Sequence, residues 1–83
     1  MDIGRNESVS INGRVYHVQT EVISAASLRI KTTIFQGGAV LDAIQQDLSD
    51  AQDESEDLIL QKAKIQHERA VKKVREGKYL SGL

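Results

Sequence analysis

The chain has 83 residues, a net charge of −1 at neutral pH, no cysteine and no proline. A chain of this length is expected to fold as one domain, residues 1–83, with a thin core, since it buries only about 60% of the surface exposed by its unfolded form. The lack of cysteine excludes disulfides and thiolate metal sites and agrees with a cytoplasmic protein. No apolar leader and no run of the ~20 apolar residues needed for a membrane span is visible, so we expect no membrane partner.

The charges are distributed unevenly along the chain. Residues 41–57 hold seven carboxylates and no basic residue, whereas residues 61–78 hold seven Lys or Arg and two carboxylates. If both blocks lie on one helix, acid at its start and base at its end complement the helix macrodipole. Such blocks can also be interaction surfaces, and the sequence leaves both interpretations open.

The first half of the sequence has the pattern of antiparallel strands. Asn12-Gly13 separates two runs rich in β-branched residues and is typical of a type I′ hairpin turn, in which both central residues need a positive φ. Gly37-Gly38 predicts a second hairpin turn, and the small residues 24–27 predict a loop. The strands are therefore predicted at residues 7–12, 14–23 and 28–35, with a fourth strand starting near Ala39.

Residues 40–48 fit two structures. Val40, Leu41, Ile44 and Leu48 have the spacing of one helix face. The hairpin turn before them instead favours a strand that continues at least to Ala43. We prefer the strand, so that a β-meander spans about residues 7–48.

A long helix is predicted over about residues 50–76. Ser49 and Gln52 have the spacing of a capping box, and no glycine or proline interrupts the sequence before Gly77, a natural helix terminator. The tail, residues 77–83, keeps three apolar residues and is expected to dock. The predicted fold is α+β, a three- to four-stranded antiparallel meander with one long C-terminal helix.

The predicted helix has apolar residues on two sides. The main stripe, about 120° wide, is expected to face the core. Its members are Ile59, Leu60, Ala63, Ala70, Val71 and Val74. On the other side, Leu58 and Ile65 lie among Lys62 and Arg69.

The predicted dimensions suggest a role for this second side. At ~1.5 Å per residue the helix spans about 40 Å, whereas strands of seven residues span only about 23 Å. The helix is therefore expected to overhang the sheet. We expect Leu58, Lys62, Ile65 and Arg69 to bind a protein partner, either another protein or a second copy in a homodimer.

Polar side chains share one face of the second predicted strand. His17, Gln19 and Glu21 alternate with apolar residues, and Arg29 and Lys31 lie on the neighbouring strand. The first interpretation is a solvated face with cross-strand charge pairs. The second is a recognition surface for a small ligand or a regulator.

His67 projects into the centre of the predicted core stripe, beside Ala63, Ala70 and Val71. A buried imidazole needs a hydrogen-bond partner for each ring nitrogen. We therefore predict a satisfied core histidine rather than a metal ligand.

No motif predicts catalysis, a cofactor or a metal. The sequence has no G-x-S-x-G elbow and no phosphate-binding glycine loop, and its carboxylates lack the spacing of a calcium loop. The seven basic residues of 61–78 make nucleic-acid binding an alternative, which three aromatic residues and a slightly acidic chain argue against. The leading expectation is a non-catalytic protein-interaction or self-assembly module.

The hexapeptide YHVQTE at residues 16–21 resembles a family of short bacterial proteins, found chiefly in delta-proteobacteria. That family continues with a T-x-h-F-x-x-G strand and turn (h apolar), matched here by Thr32 or Thr33, Phe35 and Gly38. Its C-terminal helix ends in a His and a basic-x-Gly-x-aromatic element, matched loosely by His67 and residues 75–79. The acidic residues after the glycine turn depart from the family, which is basic there. The resemblance implies the order of strands, hairpin and helix, and implies no activity.

Overall fold

The computed structural model of the protein describes residues 3–24, 27–48 and 55–80. Four strands form one antiparallel sheet in the order β1-β2-β3-β4, and one helix follows them, so the predicted α+β meander is confirmed with four strands. The elements are β1 (Ile3–Ile11), β2 (Arg14–Ile23), β3 (Arg29–Gln36), β4 (Ala39–Asp47) and α1 (Glu56–Arg75).

Both hairpin turns lie where the sequence predicts them. Asn12 and Gly13 have φ angles of 52° and 76°, and Gly37 and Gly38 have φ angles of 58° and 82°. Two consecutive residues with positive φ match the right-handed twist of the flanking strands, which is why this turn type closes two-residue hairpins. The turns therefore fix the register of β1 on β2, and that of β3 on β4 as far as the pair of Phe35 and Val40.

Residues 40–47 form a strand, so the preference for a strand is confirmed and the helical alternative is wrong. β4 continues beyond Ala43 to Asp47, because its backbone pairs with β3 along its whole length. Leu48 follows directly, is buried, and its amide donates to the Leu28 carbonyl at 2.9 Å. The four apolar residues with helical spacing therefore do not form one helix face. Val40, Leu41 and Ile44 lie on β4, and Leu48 follows its end.

A β-bulge interrupts the pairing of β3 with β4. Ile34 pairs with Asp42, but Phe35 pairs with Val40, which leaves Leu41 as an extra residue on β4. A bulge bends its strand locally and re-aims the side chains next to it. Val40 and Leu41 are consequently both solvent-exposed.

The helix begins at Glu56 rather than near residue 50. Ser55 has an extended backbone, and its hydroxyl accepts a hydrogen bond from the Leu58 amide at 3.2 Å, so Ser55 is the N-cap. The predicted capping box of Ser49 and Gln52 lies outside the described residues. No helix in the described ranges is long and apolar enough to cross a membrane.

The difference in length from which the overhang of the helix is predicted is absent. With 20 residues, α1 spans about 30 Å at ~1.5 Å per residue. With 10 residues, β2 spans about 33 Å at ~3.3 Å per residue. Helix and strand match in length because the helix is shorter than the sequence predicts and because β2 has the ten residues predicted for it, 14–23, rather than seven. β1 is longer than predicted, Ile3–Ile11 instead of residues 7–12.

The helix packs on β1, β2 and β3, and the core between them has two apolar clusters. The first core cluster contains Val9, Tyr16, Val18, Ile34, Ala70, Val71 and Val74. The second core cluster contains Val22, Ile30, Leu48, Ile59 and Ala63. Leu60, which the helical stripe predicts to face the core, is only half-buried.

Residues 77–80, the described part of the tail, dock on the first core cluster, as predicted. Gly77, with a φ of 76°, turns the chain after the helix, and Tyr79 and Leu80 pack against the cluster. The Tyr79 hydroxyl donates to Asp42 Oδ2 at 2.7 Å. This bond ties the tail to β4.

The contact of Tyr79 with Asp42 predicts that the stability of the fold depends on pH. Desolvation, the hydrogen bond to Asp42 and its negative charge raise the pKa of Tyr79 from 10.0 to about 12. Because the folded state favours the neutral phenol, Tyr79 contributes stability that is complete below about pH 10 and is lost as the pH rises to about 12. Asp42→Asn should bring the pKa back toward 10.0, as measured by the 13Cζ shift of labelled tyrosine. Asp47→Asn is the control, and an equal effect of both variants would contradict the bond.

Candidate functional site

The sheet has two different faces. The inner face is covered by α1 and carries the buried side chains of β2, which are Tyr16, Val18, Thr20 and Val22. The outer face carries the alternate residues, and in the described structure no helix lies against it. Chemistry that needs access to solvent must therefore use the outer face, the sheet edges or the exposed side of the helix.

A belt of polar side chains crosses the core between the two apolar clusters. We define the polar belt as Glu7, Thr20, Thr32, Gln66 and His67. Thr20 Oγ1 lies 2.8 Å from Thr32 Oγ1 and 2.8 Å from His67 Nδ1. His67 Nε2 lies 3.0 Å from Glu7 Oε1. The belt thus joins the middle of the helix to β1, β2 and β3.

The hydrogen bonds of the polar belt form a directional chain. The Gln66 amide donates to Thr32 Oγ1 at 3.0 Å and also lies 3.2 Å from the carbonyls of Ile30 and Ile44. With the imidazole proton on Nε2, Thr32 donates to Thr20, Thr20 donates to His67 Nδ1, and Nε2 donates to Glu7. Each hydroxyl then donates once and accepts once, so both buried threonines are satisfied.

The order of carboxylate, imidazole and hydroxyl in the polar belt is that of a nucleophilic triad, but its burial opposes that chemistry. Thr20 is 1% exposed and His67 is 2% exposed. A nucleophile must reach its substrate, and this hydroxyl is closed off by the helix and the sheet. The belt therefore holds the helix in position instead of acting on a substrate.

Sequence reasoning identified His67 in the belt and missed its other members. Gln66 lies at the border of the core stripe, three residues after Ala63 and four before Ala70, so a wider stripe would include it. The buried threonines alternate with apolar residues on their strands, which marks them as core-facing. Glu7 is 60 residues from its partner His67, and no local signal links the two.

The five polar residues predicted on the sheet all lie on the outer face. Glu21 pairs across the strands with Lys31, and Gln19 Nε2 donates to Glu21 Oε1 at 2.6 Å. Arg29 lies at the end of the row, where its guanidinium donates to the Ser27 carbonyl at 3.3 Å. His17 pairs with Phe35 instead of a charged residue. The structure therefore separates His17 from the charged part of this face.

His17 lies beside a depression in the outer face. Ser8 Oγ is 3.1 Å from His17 Nδ1, which is consistent with the hydroxyl donating to that nitrogen. The depression has a volume of about 480 Å³ and is open to solvent. It is lined by Asn6, Glu7, Ser8, His17, Val18, Gln19, Phe35 and Gly38.

Exposed apolar side chains collect at the same end of the outer face. Five large apolar side chains are exposed in the described structure, and three of them lie at this end of the sheet: Val15 (48%) and Val40 (60%) on the outer face, and Leu41 (40%) at the β-bulge next to Val40. Phe35, half-buried, pairs with His17 on one side and with Val40 on the other. We call Val15, His17, Phe35, Val40 and Leu41 the outer patch.

The other two exposed apolar side chains lie on α1, on the opposite side of the molecule. Leu58 is 41% exposed and Ile65 is 42% exposed. Lys62 is half-buried and Arg69 is exposed, at positions that alternate with the two apolar residues along one side of the helix. We call these four residues the helix stripe, which is where the sequence predicts a partner to bind.

The described residues contain no group of three or more His, Asp or Glu side chains that could hold a metal ion. Comparison of the chain with family models, curated proteins and solved structures gave no match.

Proposed function

We propose that the protein is a non-catalytic interaction module that binds another polypeptide through the outer patch. The observation that supports the proposal is the clustering of three exposed large apolar side chains beside an open depression. Contiguous exposed apolar surface rimmed by polar residues is typical of protein-binding sites, whereas isolated apolar residues are a normal part of any surface.

The composition of the outer patch is that of a small interface. Phe35 supplies an aromatic centre, with His17 on one flank and Val40 on the other. The adjacent depression has a polar rim formed by Asn6, Glu7, Ser8 and Gln19. Full burial of an aliphatic or phenylalanine side chain is favourable by about 1.5–3 kcal/mol, and each of the four apolar side chains of the outer patch is only partly buried in the free protein.

The helix stripe is the weaker of the two surfaces for an apolar contact. It has two apolar side chains, and Lys62 and Arg69 lie beside them. A partner that buries this stripe must desolvate charged groups, which costs free energy. The outer patch has no such requirement, because its apolar residues lie apart from the charged row of Glu21 and Lys31.

Two leucines with equal exposure provide a matched test. Leu41 of the outer patch is 40% exposed and Leu58 of the helix stripe is 41% exposed. Immobilised wild-type, Leu41→Asp and Leu58→Asp proteins are incubated with lysate of the source cells, and the retained proteins are identified by mass spectrometry. We expect a set of proteins that wild type and Leu58→Asp retain and that Leu41→Asp loses.

Both variants should stay folded, since surface substitutions change the free energy of unfolding by about 0.5 kcal/mol or less. Urea unfolding of each variant checks this. An identical set on all three proteins would show that the outer patch binds nothing specifically, and a set lost only from Leu58→Asp would transfer the function to the helix stripe.

A further inference from the structure

We infer that the free edge of β1 pairs antiparallel with β1 of a second copy of this chain, so that two four-stranded sheets continue as one sheet across a homodimer. This surface is separate from the outer patch, whose residues lie on β2, β3 and β4. The inference therefore goes beyond the function proposed for the outer patch and does not depend on it.

β1 is an edge strand with a regular backbone. It pairs with β2 without a shift of register from Ile3 to Ile11, and among the described residues no strand lies on its other side. At the opposite edge, β4 is interrupted by the bulge at Leu41, and its Ala43 amide already donates to Asp42 Oδ1 at 2.9 Å. Bulges and satisfied edge amides both oppose the addition of a further strand. Of the two edges, β1 is therefore the one that can accept another strand.

The first hairpin decides which residues of β1 offer their backbone to a partner. A two-residue turn of this type is closed by a hydrogen bond between the residues on either side of it, here Ile11 and Arg14. Hydrogen-bonded and non-hydrogen-bonded pairs then alternate along the two strands. The residues whose N–H and C=O groups point away from β2 are consequently Gly4, Asn6, Ser8 and Ser10.

The charges of β1 are complementary to themselves in one register. Arg5 and Glu7 are both exposed, and they lie on the same face because their partners on β2 are the buried Thr20 and Val18. When Asn6 faces Asn6 of the second copy, each Arg5 faces Glu7 of the other copy. The two neighbouring registers place Glu7 opposite Glu7 or Arg5 opposite Arg5. Opposite charges stabilise a cross-strand pair and like charges destabilise it, so the charges select the register centred on Asn6.

The same register aligns the backbone groups of the free edge. Asn6 faces Asn6, and Gly4 of each copy faces Ser8 of the other, so every N–H and C=O that points outward along this stretch meets a partner. Arg5 and Glu7 then form non-hydrogen-bonded pairs, in which the Cα atoms are only about 4.5 Å apart and the side chains are close. One register therefore satisfies both the backbone and the charges.

The rest of the molecule leaves room for this contact. α1 packs on β1, β2 and β3 and is thus centred near β2. With strands about 4.8 Å apart, β2 lies about 7 Å from the two-fold axis and the two helices lie about 14 Å apart. That distance exceeds the 8–10 Å between packed helices, so the helices do not collide.

Glu7 can meet Arg5 of the second copy without leaving the polar belt. Its Oε1 lies 3.0 Å from His67 Nε2, whereas its Oε2 lies 3.9 Å from the exposed Arg75 guanidinium, beyond hydrogen-bond distance. Oε2 therefore remains available as an acceptor for Arg5 of the other copy.

Sedimentation equilibrium over a wide concentration range tests the inference. We expect a wild-type dimer that Asn6→Pro weakens about 30-fold or more, because both N–H donors of the central pair are lost. The variant should fold, since an edge strand tolerates proline where the missing N–H faces away from its neighbour. Arg5→Glu should weaken the dimer about tenfold or more, because two attractive pairs become repulsive. Arg69→Glu, the same change of charge at an exposed position of the helix, should leave the dimer unchanged.

A cross-link tests the register directly, since the chain has no cysteine of its own. Oxidised Asn6→Cys protein should form a disulfide-linked dimer, because the Cα atoms of a hydrogen-bonded pair are about 5.5 Å apart, within the reach of a disulfide. Ser8→Cys is the matched control on the same strand and face. In the proposed register the two copies of residue 8 lie four positions apart, about 13 Å along the strand, so Ser8→Cys should give far less of the linked product.

Three outcomes would overturn the inference. The first is a wild-type monomer at the highest concentration. The second is a dimer that Arg69→Glu weakens and Arg5→Glu does not, which would place the contact on the helix. The third is efficient cross-linking of Ser8→Cys without that of Asn6→Cys, which contradicts the register selected by the charges. If circular dichroism shows that Asn6→Pro is unfolded, Arg5→Glu and the two cysteine variants decide the question.

Discussion

Thr20→Val is expected to lower the free energy of unfolding by about 2–6 kcal/mol. Valine has nearly the shape of threonine, so the packing changes little. The substitution removes the acceptor of the Thr32 hydroxyl and the donor to His67 Nδ1, both at 2.8 Å. A buried polar group left without its partner costs about 1–3 kcal/mol, and here two such groups remain. Urea denaturation followed by circular dichroism measures the loss.

Thr33→Val is the matched control for this prediction. Thr33 lies on the outer face of β3, next in sequence to the buried Thr32, and is half-buried. The control makes the same threonine-to-valine change in a strand, so the effect on strand propensity is matched. It should change the free energy of unfolding by about 0.5 kcal/mol or less. Equal losses from Thr20→Val and Thr33→Val would mean that the polar belt contributes no more than surface hydrogen bonds.

A double-mutant cycle tests whether Thr20 and His67 stabilise the fold as a coupled pair. If the cost of Thr20→Val arises from the unpaired imidazole, then combining it with His67→Leu should cost less than the sum of the single substitutions, since the double variant leaves fewer buried groups unpaired. Additive losses would show that Thr20 and His67 stabilise the fold independently.

Ile34→Ala is expected to cost about 2–5 kcal/mol, the range for truncating a fully buried aliphatic side chain. Ile34 is completely buried in the first core cluster, between the sheet and the helix. A chain of 83 residues has a total stability of about 4–12 kcal/mol, so the loss is a large part of it. Thermal and urea unfolding of the variant measure the effect.

Ile65→Ala on the helix stripe is the control, because it removes the same atoms from a position that is 42% exposed. It should change stability little, since alanine has a higher helix propensity than isoleucine. If Ile34→Ala fails to fold, Ile34→Val, expected to cost about 0.5–1.5 kcal/mol, gives the comparison. A cost for Ile65→Ala similar to that of Ile34→Ala would place Ile65 in a buried contact and support the helix stripe as an interface.

The polar belt and the apolar clusters have different roles in fixing the helix on the sheet. Apolar contacts between helix and sheet stabilise the fold but tolerate small shifts of the helix along its axis. The belt instead requires Gln66 to meet Thr32 and His67 to meet Thr20, so it selects one register of helix on sheet. A helix shifted by one turn would leave these groups unpaired in the core.

The sequence by itself determined the strand order, both hairpin turns, the end of the helix at Gly77 and most of the core. These features depend on local chemistry, such as the positive φ of Asn12-Gly13 and the alternation along β2. The start of the helix at Glu56 and the full length of β4 were not determined in this way. The length of β4 depends on its pairing with β3, and the start of the helix depends on the cap at Ser55. In both places the sequence also contains other local signals that are equally plausible.

Only the tertiary structure decided what the polar residues do and where the candidate interface lies. Glu7 and His67 meet across 60 residues of sequence, and the outer patch combines residues of β2, β3 and β4. Periodicity assigns a side chain to a face, but the neighbours on that face depend on register and on the bulge at Leu41. Contacts between distant segments follow from packing the whole chain at once, so no local pattern contains them.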